Sequence, residues 1–280
     1  MNLFDEIRHA TAHARSSGAL LPLSSEHLDL PEAGIGFRVH WLSSLALKDA
    51  AKLLNPAPLP KDFNPFLPYE PDLFVANLST THVALLNKFP LFEHHILMVT
   101  RAFEGQLSML TLADFDAVAQ TLAALDGLVF FNGGKVGGAS QAHKHLQWVP
   151  SGTFSIEAAL PRATIDKAVD RLAAFPFRHA LVRLPAALDA RSLADAFEAA
   201  CTACAIAPAG GMLPPYNLLV ARSWLLLVPR SQEHWGDDDD KVSMNAMSFA
   251  GSLFVRRQEQ IEAVKQAGPM ALLKAVTFPA

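Results

Sequence analysis

The sequence predicts a mixed fold in which antiparallel strand pairs alternate with helices, and three observations carry that reading. Residues 82–100 and 217–228 each read as strand–turn–strand, with short apolar runs on either side of a few turn residues. Thr111, with Asp114 three residues on, resembles a capping box opening a helix over 112–127, and 192–205 is an alanine-rich helix. The order also repeats. L-L-N-K-F-P then I-L-M-V-T-R in the first half is matched by Y-N-L-L-V-A-R-S then W-L-L-L-V-P-R in the second, which suggests an internal duplication.

Along the chain, residues 1–20 form an amphipathic helix with Leu3, Phe4 and Ile7 on one side, and 34–41 form a strand. Residues 55–71 are proline-rich and read as an irregular connector, because each proline removes a donor and restricts its predecessor. Strands are expected at 82–87 and 95–100 around Lys88, Phe89 and Pro90, then at 129–132 and 146–150. Further on, 165–174 read as helix, 180–184 as strand, and 217–220 with 224–228 as a hairpin. Residues 242–266 read as mostly helical, and a last short helix ends the chain. The four aspartates at 237–240 read as a solvated loop, since they lack the spacing of a calcium loop.

Composition narrows the partners. A chain of 280 residues, 51% hydrophobic, can bury a core for one large unit or two coupled ones. The net charge of -4 comes without a basic stripe, which argues against nucleic acid as a partner. Cys201 and Cys204 sit in alanine-rich surroundings and lack the second ligand pair of a zinc site, so they read as small buried residues. Asp5 and Glu6 replace the basic start of a signal peptide, and no apolar run nears the ~20 residues that cross a bilayer. A soluble cytoplasmic protein with no membrane partner is expected.

The stretch 132–147, N-G-G-K-V-G-G-A-S-Q-A-H-K-H-L-Q, joins a glycine-rich turn to a His-x-His-x-Gln run. Side chains alternate along a strand, so His143, His145 and Gln147 share one face and Lys144, Leu146 and Trp148 the other. A turn able to present backbone N–H groups to an anion thus precedes two imidazoles and an amide in a row. That layout suits attack by a histidine on a phosphate. Neutral imidazole is a good nucleophile near its ordinary pKa of about 6.5. His145, centrally placed, is the expected nucleophile, and His143 is expected to hydrogen-bond phosphate oxygens or the leaving group. A zinc-binding pair and a structural pair are the other readings of H-x-H. Gln147 donates hydrogen bonds but transfers no proton at neutral pH. Such a site expels a leaving group already stable as an anion and activates water poorly. Both properties favour a transferase with a covalent intermediate over a hydrolase. Gly133, Gly134, Gly137 and Gly138 allow backbone to approach a ligand closely, and Ser140 and Gln141 add polar groups.

The run N-x-G-x-x-x-G-A-S-Q-x-H-K-H-L-Q resembles that of the ATP adenylyltransferases, also called diadenosine tetraphosphate phosphorylases. These form the transferase branch of the histidine-triad superfamily, beside galactose-1-phosphate uridylyltransferase. Residues 86–90 with the I-L-M-V-T strand, 216–219 with 228–230, and 245–256, which looks like the family's final helix, are similar too. The likeness spans roughly 35–256. It implies an α+β fold of two histidine-triad-like halves, an antiparallel sheet with flanking helices. Residues 1–170 would be the N-terminal catalytic half with the glycine loop, and 171–280 the C-terminal half completing the nucleotide site. It implies that diadenosine tetraphosphate and phosphate give ATP and ADP through an adenylylated His145. Gly138, Ala139, Ser140, Gln141 and Gln147 would bind phosphates, Asn87, Lys88 and Asn132 the substrate, and Lys48 the polyphosphate. Asn245 and Gly251 would complete the site. No tightly bound cofactor or metal is implied, and magnesium is expected to travel with the polyphosphate. Gly133 and Gly137 stand where these proteins more often carry small side chains, and the cysteine cluster of the uridylyltransferases is absent. A transferase using adenylyl sulfate or another acceptor, and a non-catalytic dinucleotide sensor, are the alternatives.

Overall fold

A computed structural model describes residues 2–42, 63–161, 169–237 and 241–280. Helix α1 (Leu3–Ser17) starts where the Asn2 side chain accepts the Asp5 N–H at 2.9 Å and stops at Gly18 in the left-handed conformation. Strands β1 (Ser25–Glu32) and β2 (Ile35–Leu42) follow as an antiparallel pair. The first half continues with β3 (Phe74–Asn77), β4 (His82–Leu86), β5 (Ile96–Thr100), α2 (Leu112–Ala124), β6 (Gly127–Asn132) and β7 (His145–Pro150). The second half holds β8 (Val169–Asp170), β9 (Ala180–Arg183), α3 (Ala190–Ala203), β10 (Tyr216–Ala221) and β11 (Trp224–Pro229). It closes with β12 (His234–Trp235), β13 (Val242–Ser243), α4 (Ala246–Phe249), β14 (Ser252–Val255), α5 (Gln260–Ala267) and α6 (Pro269–Ala275).

The large sheet has the order β3–β4–β5–β7–β6–β10–β11–β9–β8 and is antiparallel throughout. Because β6 pairs with β10, one sheet runs through both halves. Strand β14 adds in parallel to β2, making a small separate sheet. Alternation divides the core. Ile96, Met98, Leu146, Trp148 and Phe131 face α1, α2 and α3, while Leu128, Phe130, Val149, Leu219 and Leu226 face the small sheet and the C-terminal helices. Burying one such Leu or Phe is worth roughly 1.5–3 kcal/mol, so these two faces outweigh any local propensity. Both strand–turn–strand units seen in the sequence are antiparallel pairs, and the Thr111–Asp114 capping box opens α2 as expected. Cys201 and Cys204 are buried free thiols.

Three expectations fail. Strands β1 and β3 were not foreseen; β1 (S-E-H-L-D-L-P-E) is a polar edge strand whose charges mask its alternation. Residues 169–170 are strand, which overturns the helix expected over 165–174 for the part that is described. Residues 242–266 are not one helix. Helix α4 has only four residues after Asn245, whose N–H donates to Ser248 Oγ at 3.2 Å, and Gly251, at φ +100°, turns the chain into β14.

Under β7 lies a buried ionic cluster. Lys144 is fully buried, and its Nζ donates to Glu104 Oε2 at 2.6 Å, to Asp114 Oδ2 at 3.0 Å and to the Met109 carbonyl at 3.0 Å. Asp114 Oδ1 lies 3.0 Å from His82 Nε2, and the Thr111 N–H and hydroxyl donate to Oδ2. Burial raises the Asp114 pKa, but His82, Thr111 and Lys144 outweigh it and hold the carboxyl below its ordinary range. Replacing Asp114 with Ala leaves a buried ammonium short of its fully buried carboxylate and should cost about 3–5 kcal/mol of unfolding free energy. Urea denaturation at neutral pH measures it; a loss under about 1 kcal/mol would show that the cluster does not anchor the strand.

Candidate active site

The glycine turn and the histidine strand are tied together by one buried amide. Gln106 Oε1 accepts the His145 N–H at 2.8 Å, while its Nε2 donates to the carbonyls of Asn132 at 2.9 Å and His145 at 3.2 Å. The ring of His145 donates Nδ1–H to the His143 carbonyl at 2.8 Å. That bond sets the tautomer, with the proton on Nδ1 and the lone pair on Nε2. Burial pulls this imidazole down to about 4, so it is neutral near pH 7. Phe66 lies against the ring with centroids 5.5 Å apart.

His143 is differently employed. Its Nε2–H donates to the Thr100 carbonyl at 2.8 Å, its Nδ1 accepts from Asn64 Nδ2 at 3.0 Å, and Phe66 and Phe103 pack on its ring. Both ring nitrogens are taken by protein, so in this structure the group it offers to the site is its carbonyl. The direct phosphate or leaving-group contact expected of its ring has no free nitrogen to make it.

Gln147 is oriented by a residue that the sequence reading passed over. Asn87 Nδ2 donates to His95 Nδ1 at 3.2 Å, and His95 Nε2–H donates to Gln147 Oε1 at 3.0 Å. With its oxygen occupied, the Gln147 amide can present only N–H donors, which is the polarity an anion requires. Burial also pulls His95 down to about 4, so the relay stays neutral.

The turn is held from the second half. Buried Arg230 donates Nη1–H to Asn217 Oδ1 at 2.6 Å. Asn217 Nδ2 in turn donates to Asn132 Oδ1 at 2.9 Å and to the Gly137 carbonyl at 2.7 Å, and the Ala246 N–H also reaches Asn132 Oδ1 at 2.9 Å. Gly138 has φ +90°, and a Cβ there would meet Asn245 Cβ at 2.7 Å and the Met244 carbonyl at 2.8 Å, so only glycine fits.

These elements border a cleft of about 550 Å³, within the usual range for ligand sites. Of the expected residues, Asn87, Asn132, Gly138, Ser140, Gln147 and Asn245 line it. His145 and His143 stand beside it rather than in its wall. Ala139 donates its N–H to the Gly134 carbonyl at 3.0 Å and, with Gln141, is half-buried in the turn outside that wall. Lys88 turns away to pair with Glu70 at 2.6 Å. Gly251 is also off the cleft: a Cβ there would meet Ser155 Oγ at 2.2 Å and its φ is positive, so it is a turn and packing glycine. Lys48 lies outside the described residues, as do 238–240 of the aspartate run and 162–168 of the expected helix. Lys241, Arg256 and His40 line the cleft and were not anticipated. Among the described residues, no group of three or more His, Cys, Asp or Glu side chains is placed to hold a metal, and no helix is long and apolar enough to cross a membrane.

The fold and its family matches make the chain an α+β nucleotidyltransferase, with an H-x-H-x-Q segment beside a glycine turn on one antiparallel sheet. Residues 1–168 match the Ap4A phosphorylase N-terminal domain and residues 173–279 the ATP adenylyltransferase C-terminal domain. The chain belongs to this family of Ap4A phosphorylases and ATP adenylyltransferases. It is 28% identical over 93% of its length to diadenosine 5',5'''-P1,P4-tetraphosphate phosphorylase 2 of Saccharomyces cerevisiae, covering 89% of that protein. The crystal structure of yeast Ap4A phosphorylase Apa2 superposes with a TM-score of 0.80 at 26% identity, over 99% of this chain and 98% of that one. The same yeast protein in complex with Ap4A gives 0.78 at 25% identity, over 99% of this chain and 98% of that one.

The buried histidines predict acid sensitivity. His145, His95 and His40 stay unprotonated to about 4 in the folded state, whereas unfolded histidine takes its proton near pH 6.5. Between those values the unfolded chain binds more protons. The stability these groups give is therefore complete above about pH 6.5 and falls as pH drops towards 4. Urea midpoints at neutral pH and pH 5 should differ accordingly, and His95→Phe should shrink the difference.

Proposed function

We propose that this protein is a nucleotidyltransferase that phosphorolyses diadenosine tetraphosphate, releasing ATP and ADP through an adenylylated His145. The observation that carries this is the Nδ1–H bond from His145 to the His143 carbonyl, which fixes the ring proton on Nδ1 and leaves the lone pair of the neutral ring on Nε2. Membership of the family and the named activity of the yeast relative supply the substrate. Nε2 attacks the α-phosphorus, a P–N bond forms, and the P–O bond to the triphosphate breaks to release ATP. Phosphate then attacks the same phosphorus, the P–N bond breaks, and ADP leaves. The Gln147 amide and the polar groups of the glycine turn, Gly138 and Ser140 among them, donate to the oxygens around the phosphorus. Asn87 and Asn132 position the substrate, and Asn245 backs the turn from the C-terminal half. In this reading residues 1–170 supply the nucleophile and 171–280 complete the pocket, while magnesium arrives on the polyphosphate. A cytoplasmic location belongs to the same reading, with Cys201 and Cys204 retained as thiols.

The adduct is an imidazolium, and its Nδ1–H stays on the His143 carbonyl. The burial that keeps His145 neutral also disfavours this cation, so the covalent intermediate is a reactive donor to phosphate.

His145→Ala should lower phosphorolysis by several orders of magnitude while dinucleotide binding, read by calorimetry, persists; near wild-type turnover would remove His145 as nucleophile. Mixing the wild-type protein with substrate in the absence of phosphate should leave an acid-labile AMP adduct visible by mass spectrometry. The acid limb of that single-turnover adenylylation should lie near pH 4, where His145 takes its proton, and not near the ordinary 6.5.

A further inference from the structure

The transfer step uses neither Asn64 nor Phe66, yet both are built against the two histidines. Phe66 is buried, and its ring centroid lies 5.5 Å from that of His145, with 52° between planes, and 5.6 Å from that of His143, with 75° between planes. Among the described residues it is the one aromatic ring packed on His145. Behind it stand Val83 and Leu85 of β4 with Leu97 and Val99 of β5. Val99 and Leu97 are the ladder partners of His145 and Gln147, so this apolar cluster shares the face that carries the site.

One amide sets the ring. Asn64 Oδ1 accepts the Phe66 N–H at 3.0 Å, and Asn64 Nδ2 donates to His143 Nδ1 at 3.0 Å. The His143 carbonyl takes the Nδ1–H of His145 at 2.8 Å, and the His145 ring meets Phe66. Contacts thus run from Asn64 through both histidines and return by way of Phe66. Apolar packing alone would bury Phe66. The amide adds direction, fixing the ring against the nucleophile.

The chemistry of the adduct gives that ring a task. An adenylylated imidazolium is reactive, and water is far more abundant than phosphate. Attack by water forms a P–O bond and breaks the P–N bond, whose electron pair returns to Nε2. AMP leaves, and the spare proton passes to solvent. Gln147 gives that water no base, but it does not keep water out. A hydrocarbon ring offers water no hydrogen bond, and the flank of the imidazole that it covers is closed to it. Phosphate is still drawn by the donors of Gln147 and the turn. The burial that pulls His145 down to about 4 is the same exclusion in the resting protein.

We propose that Phe66, tethered by Asn64, screens the adenylylated His145 from water and so directs the adenylyl group to phosphate. The proposal rests on the phosphorolysis reading and assigns the residue that keeps transfer from becoming hydrolysis. Its test is the partition of products. Diadenosine tetraphosphate is turned over at fixed phosphate, and AMP and ADP are resolved by chromatography. In Phe66→Ala the AMP-to-ADP ratio should rise about tenfold over wild type. Asn64→Ala, which removes the tether, should raise it in the same direction, and Phe66→Leu, which keeps an apolar side chain there, should stay near wild type. A loss of packing alone slows both products together, so an unchanged ratio in Phe66→Ala overturns the proposal. If thermal melts show that Phe66→Ala does not fold, Asn64→Ala decides by the same ratio. If the wild-type protein forms no ADP, the phosphorolysis reading falls, and an NMR titration of the His145 ring, which needs no substrate, decides the screen. The ring pKa should move up from about 4 towards the ordinary 6.5 in Phe66→Ala, and an unmoved value counts against Phe66 as the group that excludes water.

Discussion

The hydrogen bond between the His145 ring and the His143 carbonyl is the constraint on which the site depends. It joins the first residue of β7 to His143, which sits just ahead of that strand in an isolated bridge to Gly105, so its geometry is only as good as the hold on the strand's start. The protein holds that strand from both sides. Beneath it, Lys144 is locked into Glu104, Asp114 and Met109; above it, Gln106 takes both the N–H and the carbonyl of His145. A buried ion pair contributes little net stability and costs much when broken. Its place here is directly behind the histidine, where rigidity matters more than free energy.

Much of this was legible in the sequence because it is local. Alternation put His145 and Gln147 on one face with Leu146 and Trp148 on the other, and the two sides of β7 divide in that way. The Thr111–Asp114 cap, the α3 helix and the β10–β11 hairpin are likewise set by neighbours within a few positions. What stayed hidden is long-range. Gln106 is 39 residues from His145, and His95 is 52 from Gln147. An isolated glutamine or histidine carries no spacing signal. Lys88 looked like a phosphate contact because it ends a strand, but Glu70, 18 residues earlier, takes its charge. The error over 242–266 has a local cause that was underweighted: Gly251 stops a helix that the apolar spacing alone would continue. Likewise the β1 edge strand shows charges where periodicity looks for apolar residues.

The second half does more than cover the first. Arg230 and Asn217 fix the far side of the glycine turn, and Asn245 fills the space that Gly138 leaves open. A turn whose donors must face an anion is thus braced by residues more than 75 positions away. The likeness of the whole chain to the yeast phosphorylase accords with this, since neither half holds all the groups that shape the turn.

The pairing of β6 with β10 has a consequence for how the protein can be taken apart. Family descriptions divide the polypeptide in two, yet the cut passes through a continuous ladder of backbone hydrogen bonds. Each fragment would carry a raw edge of unpaired amides and carbonyls, with apolar side chains on either side of it. Such fragments are complementing pieces rather than modules: together they can rebuild one sheet, and alone each is a template for whatever strand it next meets.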